Sequence, residues 1–249
     1  MGRFVIFLSV VMCLTAIRSY AVQTDMDSID DLFYVTGKSA RLYRDSIQSQ
    51  PYVQLHYREP VSLLKKEGEI KKVRTMDGAI GYVNANQLSN IWIHVSKRRK
   101  LLILYRGMEV ISKFHADFGY NGISDKVVRG SDARPDHWRT PEGVFYVVKK
   151  NPYSQFHRAF LLNYPNEEDA KRGLSEGLIS QREYNAIMLA EKRGLPPPMQ
   201  TPLGGFIEIH GNGTGASSNW TEGCVAVRDA DMDLMWSYVQ EGTPVVIEK

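Results

Sequence analysis

Apolar and polar residues alternate in short runs along most of this chain. Between Phe33 and Asn90 the runs are Tyr52-Val53-Gln54-Leu55-His56-Tyr57, Val61-Ser62-Leu63-Leu64, Ile70-Lys71-Lys72-Val73-Arg74 and Ala79-Ile80-Gly81-Tyr82-Val83. A period of two is that of a strand with one face in a core. Turns fall at Glu67-Gly68 and Asp77-Gly78, the second a favoured hairpin pair. About five such strands in so short a segment predict a small β-barrel over residues 33–90.

After a boundary at Ser89-Asn90 the alternation restarts in Ile91-Trp92-Ile93-His94-Val95 and continues from Leu101 to Tyr105, Val110 to Phe114, Val144 to Val148 and Phe160 to Leu162. His94 alternates with isoleucine and valine, so it faces away from the core and is no ligand. Two helices interrupt the strands. Asn166 caps the first, with Glu167, Glu168 and Asp169 in its opening turn and Lys171-Arg172-Gly173 as its end. Ser180-Gln181-Arg182-Glu183 is a capping box for the second, which runs to Gly194 and is stopped by Pro196-Pro197-Pro198. A last helix is expected from Ala230 to Gln240 with Asp229 as its cap, then a strand from Pro244 to Ile247. The pattern as a whole reads as mainly β with a few helices, an α+β chain whose second domain covers residues 91–249 and carries a helical insertion.

The N-terminus departs from this pattern. Arg3 precedes an apolar run from Phe4 to Ile17, and Ser19-Tyr20-Ala21 offers small residues at a signal-peptidase site, so residues 1–21 read as a cleaved export signal. The run of roughly 14 residues is short for a span that needs about 20, which leaves no stable membrane span after cleavage. Residues 22–32 are acidic and polar and suit a flexible mature N-terminus. Cleavage changes two numbers. Of 2 cysteines only Cys224 stays, so no internal disulfide can form; and losing Arg3 and Arg18 takes the net charge from +3 to 29 basic residues against 28 acidic. That balance gives no field for nucleic acid. The expected location is exported, periplasmic or wall-associated, and the sequence leaves the oligomeric state open.

A single thiol in an exported protein points to chemistry. His210 leaves the apolar run Ile207-Glu208-Ile209 as the chain turns at Gly211, and Cys224 follows Gly223 at the start of Val225-Ala226-Val227. A cysteine attacks only as thiolate, a state an imidazole within hydrogen-bond reach would supply near neutral pH. Backbone N–H groups at Gly223 and Cys224 are candidates to hold an oxyanion. Gly211, through its carbonyl, is a candidate to fix the His210 tautomer. Thr221 and Trp220 are expected to shape the pocket, and Glu222 is either a solvated acid or a contact for a substrate amine. The absence of H-E-x-x-H and of a cysteine pair argues against a metal, and no cofactor is expected.

His210-Gly211 followed by Thr221-Glu222-Gly223-Cys224 resembles the signature of YkuD-type (murein) L,D-transpeptidases, a histidine followed by Ser/Thr-x-Gly-Cys. Thr140-Pro141-Glu142-Gly143, Asn163-Tyr164-Pro165-Asn166, Thr201-Pro202-Leu203-Gly204-Gly205 and Gly242-Thr243-Pro244-Val245 are similar to segments of the branch whose loop between histidine and cysteine is short. Glu222 stands where many members have a second histidine. The likeness covers roughly Ile91 to Lys249, and Asp77-Gly78-Ala79-Ile80-Gly81-Tyr82-Val83-Asn84 resembles a bacterial SH3-like domain, a class that commonly binds wall peptides. The resemblance implies that peptidoglycan stem peptides are the partners and that a thioester forms on Cys224, the thiol a carbapenem would acylate. It also places the loop Gly119 to Arg139 near the site, which makes Arg134, His137 and Arg139 candidates to bind a substrate carboxylate. Transpeptidation, L,D-carboxypeptidation and release of a wall-linked protein share that intermediate and stay open, as does a wall-binding protein without catalysis. An NlpC/P60-type peptidase is disfavoured, because there the cysteine precedes the histidine.

Overall fold

The computed structural model describes residues 32–249, apart from the side chains of Lys66 and Glu67. The export signal expected over residues 1–21 lies outside the described residues, as does the acidic segment up to residue 31. Seven short strands, β1 (Leu32–Val35), β2 (Arg41–Tyr43), β3 (Pro51–Gln54), β4 (Pro60–Glu67), β5 (Ile70–Thr75), β6 (Ile80–Asn84) and β7 (Leu88–Ser89), form one curled sheet in the order β3-β2-β6-β5-β4-β1-β7. Its alternate residues Val35, Leu42, Val61, Val73 and Val83 are fully buried in one core. That is the inward half of the period-two pattern.

The chain continues through β8 (Ile91–Ser96), β9 (Leu101–Arg106), β10 (Glu109–His115), β11 (Phe118–Gly119), β12 (Gly143–Ser154) and β13 (His157–Leu162). Helices α1 (Glu167–Ser175) and α2 (Gln181–Arg193) follow, then β14 (Glu208–His210), β15 (Asn219–Thr221), β16 (Val225–Ala226), α3 (Asp229–Trp236) and β17 (Pro244–Glu248). Eight of these strands make a second sheet, β10-β9-β8-β17-β12-β13-β14-β16, and β11 pairs with β15 beside it. Ile93, Leu102, Leu104, Phe145, Val147, Phe160 and Ile209 fill the core between this sheet and α3. His94 points away from that core, as its alternation predicts, and its Nε2 lies 2.9 Å from Glu248. Among the described residues no helix is long and apolar enough to cross a membrane.

Two helix ends differ from the sequence reading. The first helix runs past Gly173 to Ser175, because Gly173 is a packing contact and not a stop: a Cβ there would come within 2.8 Å of the buried Leu203. The last helix begins at Asp229 and stops at Trp236, short of Gln240. Asp229 does not cap it, since its carboxylate accepts the Asn212 N–H at 2.7 Å. The Lys150 ammonium ends it by donating to the Trp236 and Val239 carbonyls, both at 2.7 Å, a cation at the negative end of a helix.

Candidate active site

His210 and Cys224 line one cavity because β14 and β16 are parallel neighbours, with Ile209 opposite Val225 and His210 opposite Ala226. Ile209 and Val225 are fully buried and face the core. By the period of two, Glu208, His210 and the Cys224 that leads into β16 share the opposite face. That face opens into a cavity of about 710 Å³ lined by both His210 and Cys224.

The turn that carries Cys224 is held by Thr221, whose hydroxyl donates to the Cys224 carbonyl at 2.7 Å and accepts the Gly223 N–H at 3.2 Å. Gly223 has φ +134°, and a Cβ there would lie 2.6 Å from the Arg139 carbonyl oxygen, so this corner requires glycine. With the Gly223 N–H on Thr221, the Cys224 N–H is the better placed of the two expected oxyanion donors. The thiol donates to the Phe206 carbonyl at 3.4 Å. Burial pushes it up to about 12, although the Glu208 N–H bonded to the sulfur and the Lys126 charge favour the thiolate; Glu208 and Glu222 oppose it.

His210 is 2 % exposed. Its Nδ1 lies 2.6 Å from the Gly211 carbonyl, which can only accept, so Nδ1 carries the proton and Nε2 is the free base. The ring stacks on Phe156 at 4.4 Å between centroids and meets the edge of Trp220 at 6.2 Å. Burial lowers its pKa, against the pull of the Gly211 carbonyl and of Asp117. Burial thus disfavours the charged form of each group, so the expected thiolate depends on what the two gain from each other.

The cavity brings together Thr221, Trp220 and Glu222 with the pair. Arg134 is exposed and lies outside its lining. Arg139 is also outside, its guanidinium held by Asp136 and by the Asp125 carbonyl. The cations that do line it are Lys126 and Arg129, from the same loop. Sequence reasoning passed over these two, and also over Phe156, Glu208 and Asp117. Asp117 is 1 % exposed and organises the loop after His210: its carboxylate accepts from Thr214 N, Thr214 Oγ1, Ser218 N and Trp220 Nε1, at 2.6 to 2.9 Å. Burial alone would raise its pKa, but these hydrogen bonds hold the carboxyl below the usual range. One signal was available for Lys126 and Arg129, a pair of basic residues three apart in a loop the family places at the site.

A thiol and an imidazole on one strand face of a β-rich domain define the class of site. A family profile described as the YkuD L,D-transpeptidase catalytic domain matches residues 90–247, and the chain belongs to that family. Among solved structures it is similar to an L,D-transpeptidase from Xylanimonas cellulosilytica (16% identity, 64% of this chain, 61% of that one, TM-score 0.39). It is also similar to Bdellovibrio bacteriovorus Bd1075 (22% identity, 64% and 48%, TM-score 0.40) and to an L,D-transpeptidase from Mycobacterium smegmatis (12% identity, 92% and 88%, TM-score 0.39). The chain thus spans 61% and 48% of the length of the first two. No curated protein matches it.

Proposed function

We propose that this chain is a peptidoglycan L,D-transpeptidase that works through a thioester on Cys224. The observation that carries the reading is the shared face of His210 and Cys224, with Nδ1 tied to the Gly211 carbonyl and Nε2 left as base. His210 takes the thiol proton as the sulfur attacks the carbonyl carbon after the L-centre of a diamino acid. The C–S bond forms, and the Cys224 N–H donates to the oxyanion. His210 then returns the proton to the leaving amine as the C–N bond breaks. A second stem's amine attacks the thioester, giving its proton to His210, and the thiol is restored.

With water as acceptor the same intermediate gives L,D-carboxypeptidation, and with a protein's amine as leaving group it gives release of a wall-linked protein. Residues 91–249 form the catalytic domain in this reading. Residues 33–90 are an SH3-like module beside it, and residues 1–21 direct export to the periplasm or wall. Mass analysis of wall fragments from cells expressing the wild type or Cys224→Ala tests it. New crosslinks between diamino acids in the wild type alone are expected, and identical fragments from the two strains would overturn it. Shortened stems alone point to the carboxypeptidase, and released protein remnants to the endopeptidase.

A further inference from the structure

Lys126 is 3 % exposed, yet its ammonium makes one hydrogen bond among the described residues, to the His137 carbonyl at a long 3.4 Å. An ammonium has three donors, so two remain to be satisfied inside a buried site. The side chain reaches the cavity across Gly204, at φ +114°, where a Cβ would lie 2.8 Å from Lys126 Cε and displace it. Beside it, Arg129 Nε and Nη2 donate to the Thr201 and Met199 carbonyls at 3.1 and 2.7 Å, which pins the guanidinium to the same wall. Cys224, Glu222 and Arg129 share the cavity with Lys126, and Arg139, outside its lining, adds a like charge. Burial brings the Lys126 pKa down to about 8, with the Cys224 sulfur the first charge working to hold the proton.

We propose that Lys126 is the anchor for a substrate carboxylate placed next to the amide that Cys224 attacks. An ammonium that is desolvated, under-bonded and on the wall of the cavity that Cys224 also lines has its unmet donors where an acyl group must sit. In the stem-peptide reading, on which the substrate class rests, that carboxylate belongs to the terminal D-residue that leaves. Its two oxygens supply the acceptors the ammonium lacks, in charge-assisted hydrogen bonds. Glu222, on the same cavity, repels a carboxylate that approaches from its side. The site thereby selects leaving groups that carry a carboxylate on the carbon bonded to the scissile nitrogen over amides and over amines borne on long side chains.

Alkylation of Cys224 tests the anchor without any wall substrate. Iodoacetate and iodoacetamide attack the same sulfur and differ in the carboxylate, so their rate ratio, read by intact mass and divided by the ratio for glutathione, reports a cation beside the thiol. The wild type is expected to favour iodoacetate, Lys126→Met to lower the ratio about tenfold, the factor that 1.4 kcal/mol represents, and Lys126→Arg to restore part of it. A wild-type ratio equal to that of glutathione, or equal ratios in wild type and Lys126→Met, would overturn the anchor. A second measurement compares a tetrapeptide ending in D-alanine with its C-terminal amide: preference for the acid in the wild type, reduced in Lys126→Met through KM, is expected. Turnover of both peptides at equal rates refutes the anchor while the transpeptidase reading stands. Turnover of neither peptide refutes that reading and the substrate class with it, whatever the alkylation ratio.

Discussion

Burial of the His210 imidazole and of the Cys224 thiol sets the pH behaviour expected of the site. A histidine whose pKa is lowered by burial keeps its base form below the ordinary value of about 6.5. The acid limb of kcat/KM is therefore expected to lie below pH 6.5, and a limb at or above that value would contradict the buried, neutral imidazole. The thiol gives a second reading of the same state. Alkylation of Cys224 by iodoacetamide should keep accelerating with pH past the point, about 8.5, where a free cysteine begins to level. A plateau near pH 6 would mean a thiolate–imidazolium pair instead. Asp117 holds the loop that joins the two: Asp117→Ala leaves Thr214 N, Thr214 Oγ1, Ser218 N and Trp220 Nε1 without this acceptor. Loss of about 2 kcal/mol or more is expected, read as a lower Tm and faster proteolysis of the 212–219 loop. Its carboxyl titrates below the unfolded value, so its contribution is complete above about pH 4 and fades as pH falls through the folded pKa. His210, Gly211 and Cys224 were legible from local order alone, since a glycine turn and a lone cysteine are readable without partners. Lys126, Phe156 and Asp117 were not, because what makes them matter is strand pairing and loop closure across tens of residues.

Helices and strands divide in the same way. The caps at Asn166 and Ser180 obey local rules, and both fold as capping boxes in which the side chain accepts the N–H three residues on. Ser180→Ala removes one such acceptor from α2, and a loss of about 1 kcal/mol is expected in denaturant melts. Gly194 ends α2 at φ +61°, as a C-terminal glycine should. The ends of α1 and α3 escaped prediction because tertiary contacts set them: Leu203 packs against Gly173 where a Cβ would crowd it, and Lys150 arrives from β12 to take the Trp236 carbonyl at the end of α3 and the Val239 carbonyl beyond it. Strand existence was legible from alternation, but partnership was not. Nothing local says that β14 lies between β13 and β16, and that order is what puts a base beside a thiol.

Across the whole molecule, the first sheet is fastened to the second by side chains that neither segment's pattern reveals. Arg58, in the loop after β3, donates from Nη1 to Glu191 of α2 at 2.8 Å and lies 4.0 Å over the ring of Tyr146 in β12. Tyr57 packs against Gly194 and Gly242, where a Cβ would meet its ring or hydroxyl within 2.5 and 2.8 Å. The Tyr34 hydroxyl of β1 donates to the Ile91 carbonyl at 2.7 Å, at the junction itself. Among the described residues, Arg58 Nε and Nη2 and the Tyr57 hydroxyl are buried without a geometric hydrogen bond, so their desolvation is offset by the Glu191 pair and by the guanidinium's packing over the Tyr57 and Tyr146 rings. Such a contact couples two sheets that each have a core, and calorimetry of the wild type is expected to show one transition. Arg58→Ala strips Glu191 of its cation and Tyr146 of its cover while leaving both cores intact. The smaller sheet, with the smaller core, should then melt separately and at lower temperature, exposing the chain near Ser89-Asn90 to protease. Two transitions in the wild type, or one unshifted transition in the variant, would show that the Arg58 contact does not hold the two sheets together.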